Sequence, residues 1–154
     1  MKKIKNPWDG KEGYNCFGCA PGNPIGLHMQ FYEDGDQVLG IWQPGTHHQG
    51  WIDTLHGGII ATLVDETGAW AITRKLQTTA MTVRLNMQYR HPVMTTDGEI
   101  TVRASIANSL RNFVTVAVDV CDSHGKVCAH GEVTYCTFGP EQARQMGFTG
   151  CELE

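Results

Sequence analysis

The stretch 59–73, IIATLVDETGAWAIT, restricts the fold of this chain more than any other, because its predicted helix lacks a polar face. Helical character begins at Gly57-Gly58 and continues to about Thr73. One broad helical face carries Ile59, Ile60, Leu63, Val64, Thr67, Trp70 and Ala71. The opposite side carries small or apolar residues, namely Ala61, Thr62, Gly68, Ala69 and Ile72. Such a helix is normally buried on all sides, so we expect it to be enclosed.

Strand-like segments flank this helix. Two precede it, at 27–32 and 38–42, and four follow it, at 79–90, 98–108, 113–121 and 127–138. Strands in consecutive, hairpin-like order favour an antiparallel sheet, and a single helix covers only one of its faces. We therefore expect an α+β architecture in a single domain over 1–154. The remaining segments are an irregular lead-in over 1–24, a loop over 44–55 and a tail over 140–154 with a short helix at 140–146.

Composition excludes several classes of protein. The chain has 154 residues, of which 41% are hydrophobic, and a formal net charge of -4, so it can bury a core and is too apolar for disorder. No apolar run approaches the roughly 20 residues of a membrane span, and the acidic balance gives no reason to expect nucleic acid. The N-terminus MKKIKNPWDG has no apolar stretch after its lysines. We therefore expect a cytoplasmic protein whose six cysteines are free thiols.

Asp65 is the strongest chemical signal in the predicted helix. It falls on the small-residue side, between Ala61 and Ala69, and a buried carboxylate costs several kcal/mol unless it is paired or hydrogen-bonded. A functional carboxylate is indicated, with a purely architectural one as the alternative. Glu66 points about 100° away. The two carboxylates therefore do not face one point, and Glu66 is expected to be a partly exposed or interface charge.

His56-Gly57-Gly58 at the helix start is the second signal. Glycines there leave backbone N–H groups unshielded, and the helix dipole adds positive potential. Such donors can polarise a carbonyl oxygen as it becomes an oxyanion. The triplet alone is equally compatible with a turn, but an intrahelical Asp nine residues after the His makes it more specific.

Cys16-Phe17-Gly18-Cys19 is half of a zinc or redox pattern. A structural zinc site needs four ligands, which His28 or the His47-His48 pair would have to complete, and no second Cys pair has this spacing. A thioredoxin-type role requires the motif at the start of a helix, whereas here it lies in a Gly/Pro-rich lead-in. We therefore expect neither a metal nor a redox centre.

Two short basic positions could meet ligand phosphates. One is Arg111-Asn112, in a predicted turn between strands, and the other is Arg90-His91, at a strand end before Pro92. An ordinary solvated turn is the alternative for each.

Three stretches together resemble the hotdog-fold thioesterases, specifically the phenylacetate-pathway type and the mammalian thioesterase-superfamily members. They are LHGGIIATLVDE at 55–66, MTVRLNMQY at 81–89, and the lead-in motif CFGC at 16–19 with NPIGL at 23–27. The similarity covers about residues 14–138. It implies an antiparallel sheet wrapped around a central helix, a dimer as the minimal unit and often a tetramer. The family's reaction is hydrolysis of acyl-CoA thioesters without a cofactor, since coenzyme A is part of the substrate.

The resemblance also implies roles for individual residues. Asp65 matches the catalytic carboxylate, Gly58 or its neighbour Gly57 matches the backbone donor to the thioester carbonyl, and Thr82 falls where relatives place a Ser or Thr near the attacking water. His56 belongs to the same motif. Some relatives have an Asn where this chain has Gly50, and we expect the side chain of His48 or Gln49 to substitute for it. The candidate substrate contacts are His48, Gln49, Glu66, Arg90, His91, Arg111 and Asn112.

Two hypotheses of different class follow. The first is an acyl-CoA thioesterase in which Asp65 acts as base on water or as nucleophile. The second is a non-catalytic acyl-CoA-binding or sensing protein, which the missing Asn equivalent favours. A zinc-binding module is a distant third.

Overall fold

The computed structural model describes residues 1–154 and centres on one helix of 20 residues. In chain order the elements are β1 (Lys2–Lys3), β2 (Gln30–Asp34), β3 (Gln37–Trp42), α1 (Gly57–Leu76), β4 (Ala80–Tyr89), β5 (Ile100–Leu110), β6 (Phe113–Cys121), β7 (Val127–Thr137) and α2 (Pro140–Gln145). A short 3-10 turn at Thr46–His48 lies in the loop before α1. No helix combines the length and apolar character that crossing a membrane requires.

The strands form one seven-stranded antiparallel sheet in the order β1-β2-β3-β5-β6-β7-β4. The helix α1 contacts β3, β5, β6, β7 and β4. The predicted α+β architecture, an antiparallel sheet with one long helix, is therefore confirmed. The crossover through α1 carries the chain from β3 to the far edge of the sheet, because β4 pairs only with β7.

Several predicted boundaries are wrong. The strand expected over 27–32 begins only at Gln30, because His28 adopts a left-handed φ of 55° that interrupts an extended backbone. The helix continues past Thr73 to Leu76 and ends where Gln77 takes a left-handed φ of 52°. The lead-in is not irregular throughout, since Lys2–Lys3 pairs with β2.

Two glycines of the sheet lie close against the helix. A Cβ placed on Gly40 would lie 2.6 Å from Thr67 Oγ1, and one on Gly131 would lie 2.6 Å from Val64 Cγ1. Both distances are far shorter than a normal carbon contact. Side chains larger than hydrogen would therefore push α1 away from β3 and β7.

The expectation that α1 is buried on all sides is correct only for the stretch 67–73, where every residue except Ala69 is buried. Buried residues there are Thr67, Gly68, Trp70, Ala71, Ile72 and Thr73. Toward the N-terminus an uncovered stripe of exposed or half-buried residues runs along one side of the helix, formed by Gly58, Ala61, Thr62, Asp65 and Ala69. Apart from Asp65, this stripe is small and uncharged, and the chain covers it only in part.

The two edges of the sheet differ strongly. The β1 edge is two lysines long, and an isolated bridge between Ile4 and Leu153 continues it. The β4 edge has ten residues and exposes apolar side chains, namely Met81, Val83, Leu85 and Tyr89. Natural proteins normally shorten, charge or cover such an edge, so this one is suited to pairing with another strand.

The close approach at Gly131 predicts a stability effect. Gly131→Ala should lower the free energy of unfolding by about 1–3 kcal/mol, because the new methyl group overpacks the contact with Val64. Gly22→Ala is the matched control, since a Cβ there meets nothing within 4 Å. Urea unfolding followed by circular dichroism measures both, and equal stabilities for the two variants would contradict the packing argument.

Candidate active site

Asp65 lies midway along α1, on the uncovered stripe, and two hydroxyl groups hold its carboxylate. Thr82 Oγ1 donates to Oδ1 at 2.8 Å. The Tyr135 hydroxyl lies 2.7 Å from the Asp65 carbonyl oxygen and 3.2 Å from Oδ1. Oδ2 has no hydrogen-bond partner in the chain, so one carboxylate oxygen is oriented and the other is free to act on a ligand.

Strand pairing explains why both hydroxyls reach one carboxylate. Thr82 on β4 and Tyr135 on β7 are directly opposite each other in the antiparallel register. The register then shifts between Thr82 and Arg84, and such an irregularity re-aims the neighbouring side chains. Thr82, which was predicted to lie near the attacking water, thus contacts Asp65, and its role toward water stays a prediction.

Sequence reasoning missed Tyr135. Its side chain is almost fully buried, and a buried tyrosine hydroxyl requires a partner. Gly68, one turn after Asp65, leaves the space for it, since a Cβ there would collide with the Tyr135 hydroxyl. Burial, followed by the charge of Asp65, raises the pKa of Tyr135 well above its usual range, so the group remains a hydrogen-bond donor.

The start of α1 distinguishes the two candidate amides. His56 is the N-cap residue, and its Nδ1 accepts a hydrogen bond of 2.8 Å from the Gly58 amide. The Gly57 amide has no partner in the chain, as is typical of the first helical position. The prediction named Gly58 first, but the unoccupied donor belongs to Gly57. The His56 imidazole occupies the Gly58 amide and leaves the Gly57 amide unpaired, and residue spacing alone does not predict this contact.

An open cleft lies beside this amide, lined by Gln49, Gly50, Trp51, Leu55, His56 and Gly57. The two side chains expected to replace the missing Asn are both engaged within the loop. His48 Nδ1 accepts from the Gly45 amide at 3.0 Å, and Gln49 Oε1 accepts from the Asp53 amide at 3.0 Å. Burial lowers the pKa of His48, which favours its neutral ring. A substrate contact by either residue stays a prediction.

The two basic positions lie at opposite ends of β4. The turn holding Arg111 and Asn112 adjoins Phe113, and both Phe113 and Met81 pair with Cys136 at the start of β4. The amides of Arg90 and His91 instead bond to the Cys128 carbonyl beyond the end of β4, at 2.9 and 3.0 Å. Ten extended residues span about 30 Å. Within a single chain, the two basic positions therefore cannot bind the same phosphate group.

Glu66 points to a different part of the molecule from Asp65. Its Oε1 accepts from the Trp70 indole at 3.3 Å and from the Cys16 thiol at 3.4 Å. The side chain keeps some exposure, as expected, but burial raises the pKa of Glu66 to about 7. The expectation that the two carboxylates do not form a pair is consistent with these separate partners.

Sequence comparison identifies similar proteins. The sequence model of the thioesterase superfamily matches residues 53–129, which is half of the chain. The mouse acyl-coenzyme A thioesterase THEM4 is 37% identical over 68 residues, which are 43% of this chain and 28% of the mouse protein. The chain therefore spans well under half the length of that relative.

Solved structures of proteins described as thioesterases share the architecture. A thioesterase from Haemophilus influenzae superposes with a TM-score of 0.66 at 22% identity, over 73% of this chain and 80% of that one. Zebrafish thioesterase superfamily member 2 gives 0.64 at 24%, over 72% and 81%. A hypothetical thioesterase from Streptococcus pneumoniae, solved with coenzyme A, gives 0.66 at 16%, over 72% and 89%. These identities establish the fold alone, which is the hotdog fold.

The cap at the start of α1 predicts a stability effect at His56. His56→Ala should lower the free energy of unfolding by about 0.5–2 kcal/mol, because the Gly58 amide loses its acceptor. His56→Asn should recover part of the loss, since Asn is a good N-cap residue. The control is His47→Ala, at an exposed histidine without a side-chain hydrogen bond. Unchanged stability of His56→Ala in urea unfolding would show that the imidazole does not cap the helix.

Proposed function

Because the chain belongs to the thioesterase superfamily, we propose that it is an acyl-CoA thioesterase, which hydrolyses an acyl-CoA thioester to a free acid and CoA. The observation that carries the proposal is Asp65, the one charged residue on the uncovered stripe of α1, with its free Oδ2. The names of the mouse relative and of the Streptococcus pneumoniae protein solved with coenzyme A support this substrate class.

The chemistry of a thioester suits this arrangement. The thiolate is a good leaving group, so hydrolysis needs a polarised carbonyl and an activated nucleophile rather than a strong general acid. The free Gly57 amide donates to the carbonyl oxygen, and the helix dipole favours the oxyanion there. Asp65 Oδ2 either takes a proton from the attacking water or attacks the carbonyl carbon to form an anhydride. Collapse of the tetrahedral intermediate expels the CoA thiolate.

A single copy of α1 cannot supply both groups to one thioester. Gly57 and Asp65 are eight residues apart, or about 12 Å along the helix axis. The carbonyl donor and the base must instead meet within about 3–4 Å of one carbon atom. The site is therefore completed by a second copy of the chain, with Gly57 from one subunit facing Asp65 from the other.

The structure favours a particular way of pairing. The helix α1 runs antiparallel to β4, since Thr82 contacts Asp65 while the Tyr89 hydroxyl donates to the Gly57 carbonyl at 2.7 Å. Antiparallel pairing of two β4 edges brings the Thr82 end of one strand opposite the Tyr89 end of its mate. The Asp65 of one copy then approaches the Gly57 of the other. Pairing also removes the long exposed edge and covers the stripe on α1.

The same pairing brings the two separated basic positions together. The turn of Arg111 and Asn112 lies at the Thr82 end of β4, and Arg90 and His91 lie at the Tyr89 end. In the antiparallel dimer these ends come from different subunits and flank the same composite site. Both positions are then available to the phosphates of one CoA molecule.

The proposed role of Asp65 is tested by Asp65→Asn. This nearly isosteric change should preserve folding and lower kcat by about 10²–10⁴-fold, because the amide cannot accept a proton or attack. Asp97→Asn, at an exposed turn residue without a side-chain hydrogen bond, should retain full activity. The measurement is CoA thiol release from short, medium, long and aromatic acyl-CoAs. Undiminished hydrolysis by folded Asp65→Asn contradicts the role, and a wild type that binds but releases no thiol supports the non-catalytic alternative.

The composite site is tested by mixing two inactive variants. Gly57→Pro removes only the free amide, since proline is favoured at the first helical position and His56 already has the extended backbone that precedes proline (φ -61°, ψ 132°). Alone it should lower kcat by about 10²–10³-fold, whereas Gly57→Ala, which keeps the amide, should remain active.

Subunit exchange between Gly57→Pro and Asp65→Asn gives heterodimers with one intact and one doubly damaged site. Activity should therefore rise to about half the wild-type value per heterodimer. Asp65→Asn mixed with itself controls for the exchange treatment. If mass spectrometry demonstrates heterodimers and no activity returns, the site is not shared between subunits.

A further inference from the structure

A second cluster of reactive side chains lies apart from Asp65. The ligand-forming atoms of Cys16, Cys19 and Glu66 all lie within 4.8 Å of one another. Two of these residues come from the lead-in and the third from the middle of α1, fifty positions later in the chain. The proposed hydrolysis uses none of them.

The local backbone is shaped to let the carboxylate reach the two cysteines. The lead-in is anchored by bonds from the Leu27 amide to the Phe17 carbonyl and from the Met29 amide to the Gly18 carbonyl, at 2.8 and 2.9 Å. A Cβ on Gly18 would collide with the carboxyl group of Glu66. A glycine between the cysteines therefore leaves the space that Glu66 occupies.

Glu66 lacks a cationic partner. None of the ion pairs in the chain includes it, and its hydrogen bonds come from the Cys16 thiol and the Trp70 indole. A desolvated carboxylate is costly unless it takes up a proton or pairs with a cation or a metal ion. Two adjacent thiols supply no positive charge. The cluster therefore holds three side chains that can ligate a metal ion but no cation.

The donor set selects the class of metal ion. Two thiolates and one carboxylate suit zinc, whereas magnesium and calcium prefer oxygen ligands alone. We propose that Cys16, Cys19 and Glu66 bind one zinc ion, with the fourth position taken by water or an external ligand. On binding, the two thiols release their protons to solvent.

Neighbouring side chains orient two of the three ligands, Glu66 and Cys19, as outer contacts do around metal sites in general. The Trp70 indole donates to Glu66 Oε1 at 3.3 Å. The Tyr14 hydroxyl lies 2.9 Å from Cys19 Sγ and accepts a bond of 2.8 Å from the Asn6 amide group, which leaves its own proton for the sulfur.

The sequence did not predict this site, because the third donor is on the helix. Two of the histidines considered as ligands are engaged elsewhere, His28 with the Asn23 carbonyl and His48 with the Gly45 amide. Zinc here would fasten the lead-in to the middle of α1, on a different side from Asp65. This role does not depend on the proposed hydrolysis.

The test is metal binding by the reduced, full-length protein. Zinc should bind at about one ion per chain, and cobalt in its place should give thiolate-to-metal charge-transfer absorption. Cys16→Ser and Cys19→Ser should each lose part of that absorption. Glu66→Gln should weaken zinc binding at least about tenfold, measured against a chelator. Cys136→Ser, at a half-buried cysteine outside the cluster, is the matched control and should bind normally.

Three results would overturn the proposal, two of them from zinc binding. One is the lack of stoichiometric zinc in folded, reduced protein, with folding checked by circular dichroism. The other is zinc that binds equally well to Glu66→Gln and to Cys16→Ser. A Cys16–Cys19 disulfide that forms with oxidised glutathione even in zinc-saturated protein would also count against a metal site and favour a redox pair. None of these measurements depends on thioesterase activity.

Discussion

Close packing of α1 against the sheet at Gly40 and Gly131 sets the distances on which the candidate site depends. A Cβ at either position would lie 2.6 Å from a helix side chain, so only glycine allows the helix to lie this near to β3 and β7. With the helix held there, Asp65 meets the hydroxyls of two cross-strand neighbours, Thr82 and Tyr135. The packing of helix against sheet therefore determines how the Asp65 carboxylate is oriented.

Burial is incomplete where the chemistry is concentrated. The stretch 67–73 of α1 is mostly buried, but one side of the preceding turns and the β4 edge remain open. Buried polar groups must be paired, so unused hydrogen-bonding capacity is tolerated only where solvent, a ligand or a partner can reach it. The Gly57 amide and Asp65 Oδ2 are such groups, and both lie on the open side. A partner that covers this side would complete the fold and the site together.

The adjacent carboxylates of α1 illustrate how helical geometry separates functions. Successive side chains diverge by about 100°, so Asp65 faces the hydroxyls of the sheet while Glu66 faces the lead-in. Asp65 is held by neutral donors and keeps one oxygen free. Glu66 is desolvated beside two thiols and has no cation. The first environment suits catalysis on a ligand, and the second suits a bound ion.

Hydrophobic periodicity and turn residues by themselves determined the helix, the order of the strands after it, and Asp65 as the conspicuous charge. These features are local, and repeats of two or 3.6 residues report them directly. Only the tertiary structure decided that Tyr135 reaches Asp65, that His56 occupies the Gly58 amide, and that Glu66 joins the two cysteines. Each of these depends on a side-chain orientation or on a contact between distant segments. The open side of α1 could not be predicted from the sequence either. β4 follows the helix in sequence, and only the tertiary structure places it at the far edge of the sheet, where no further strand adjoins it.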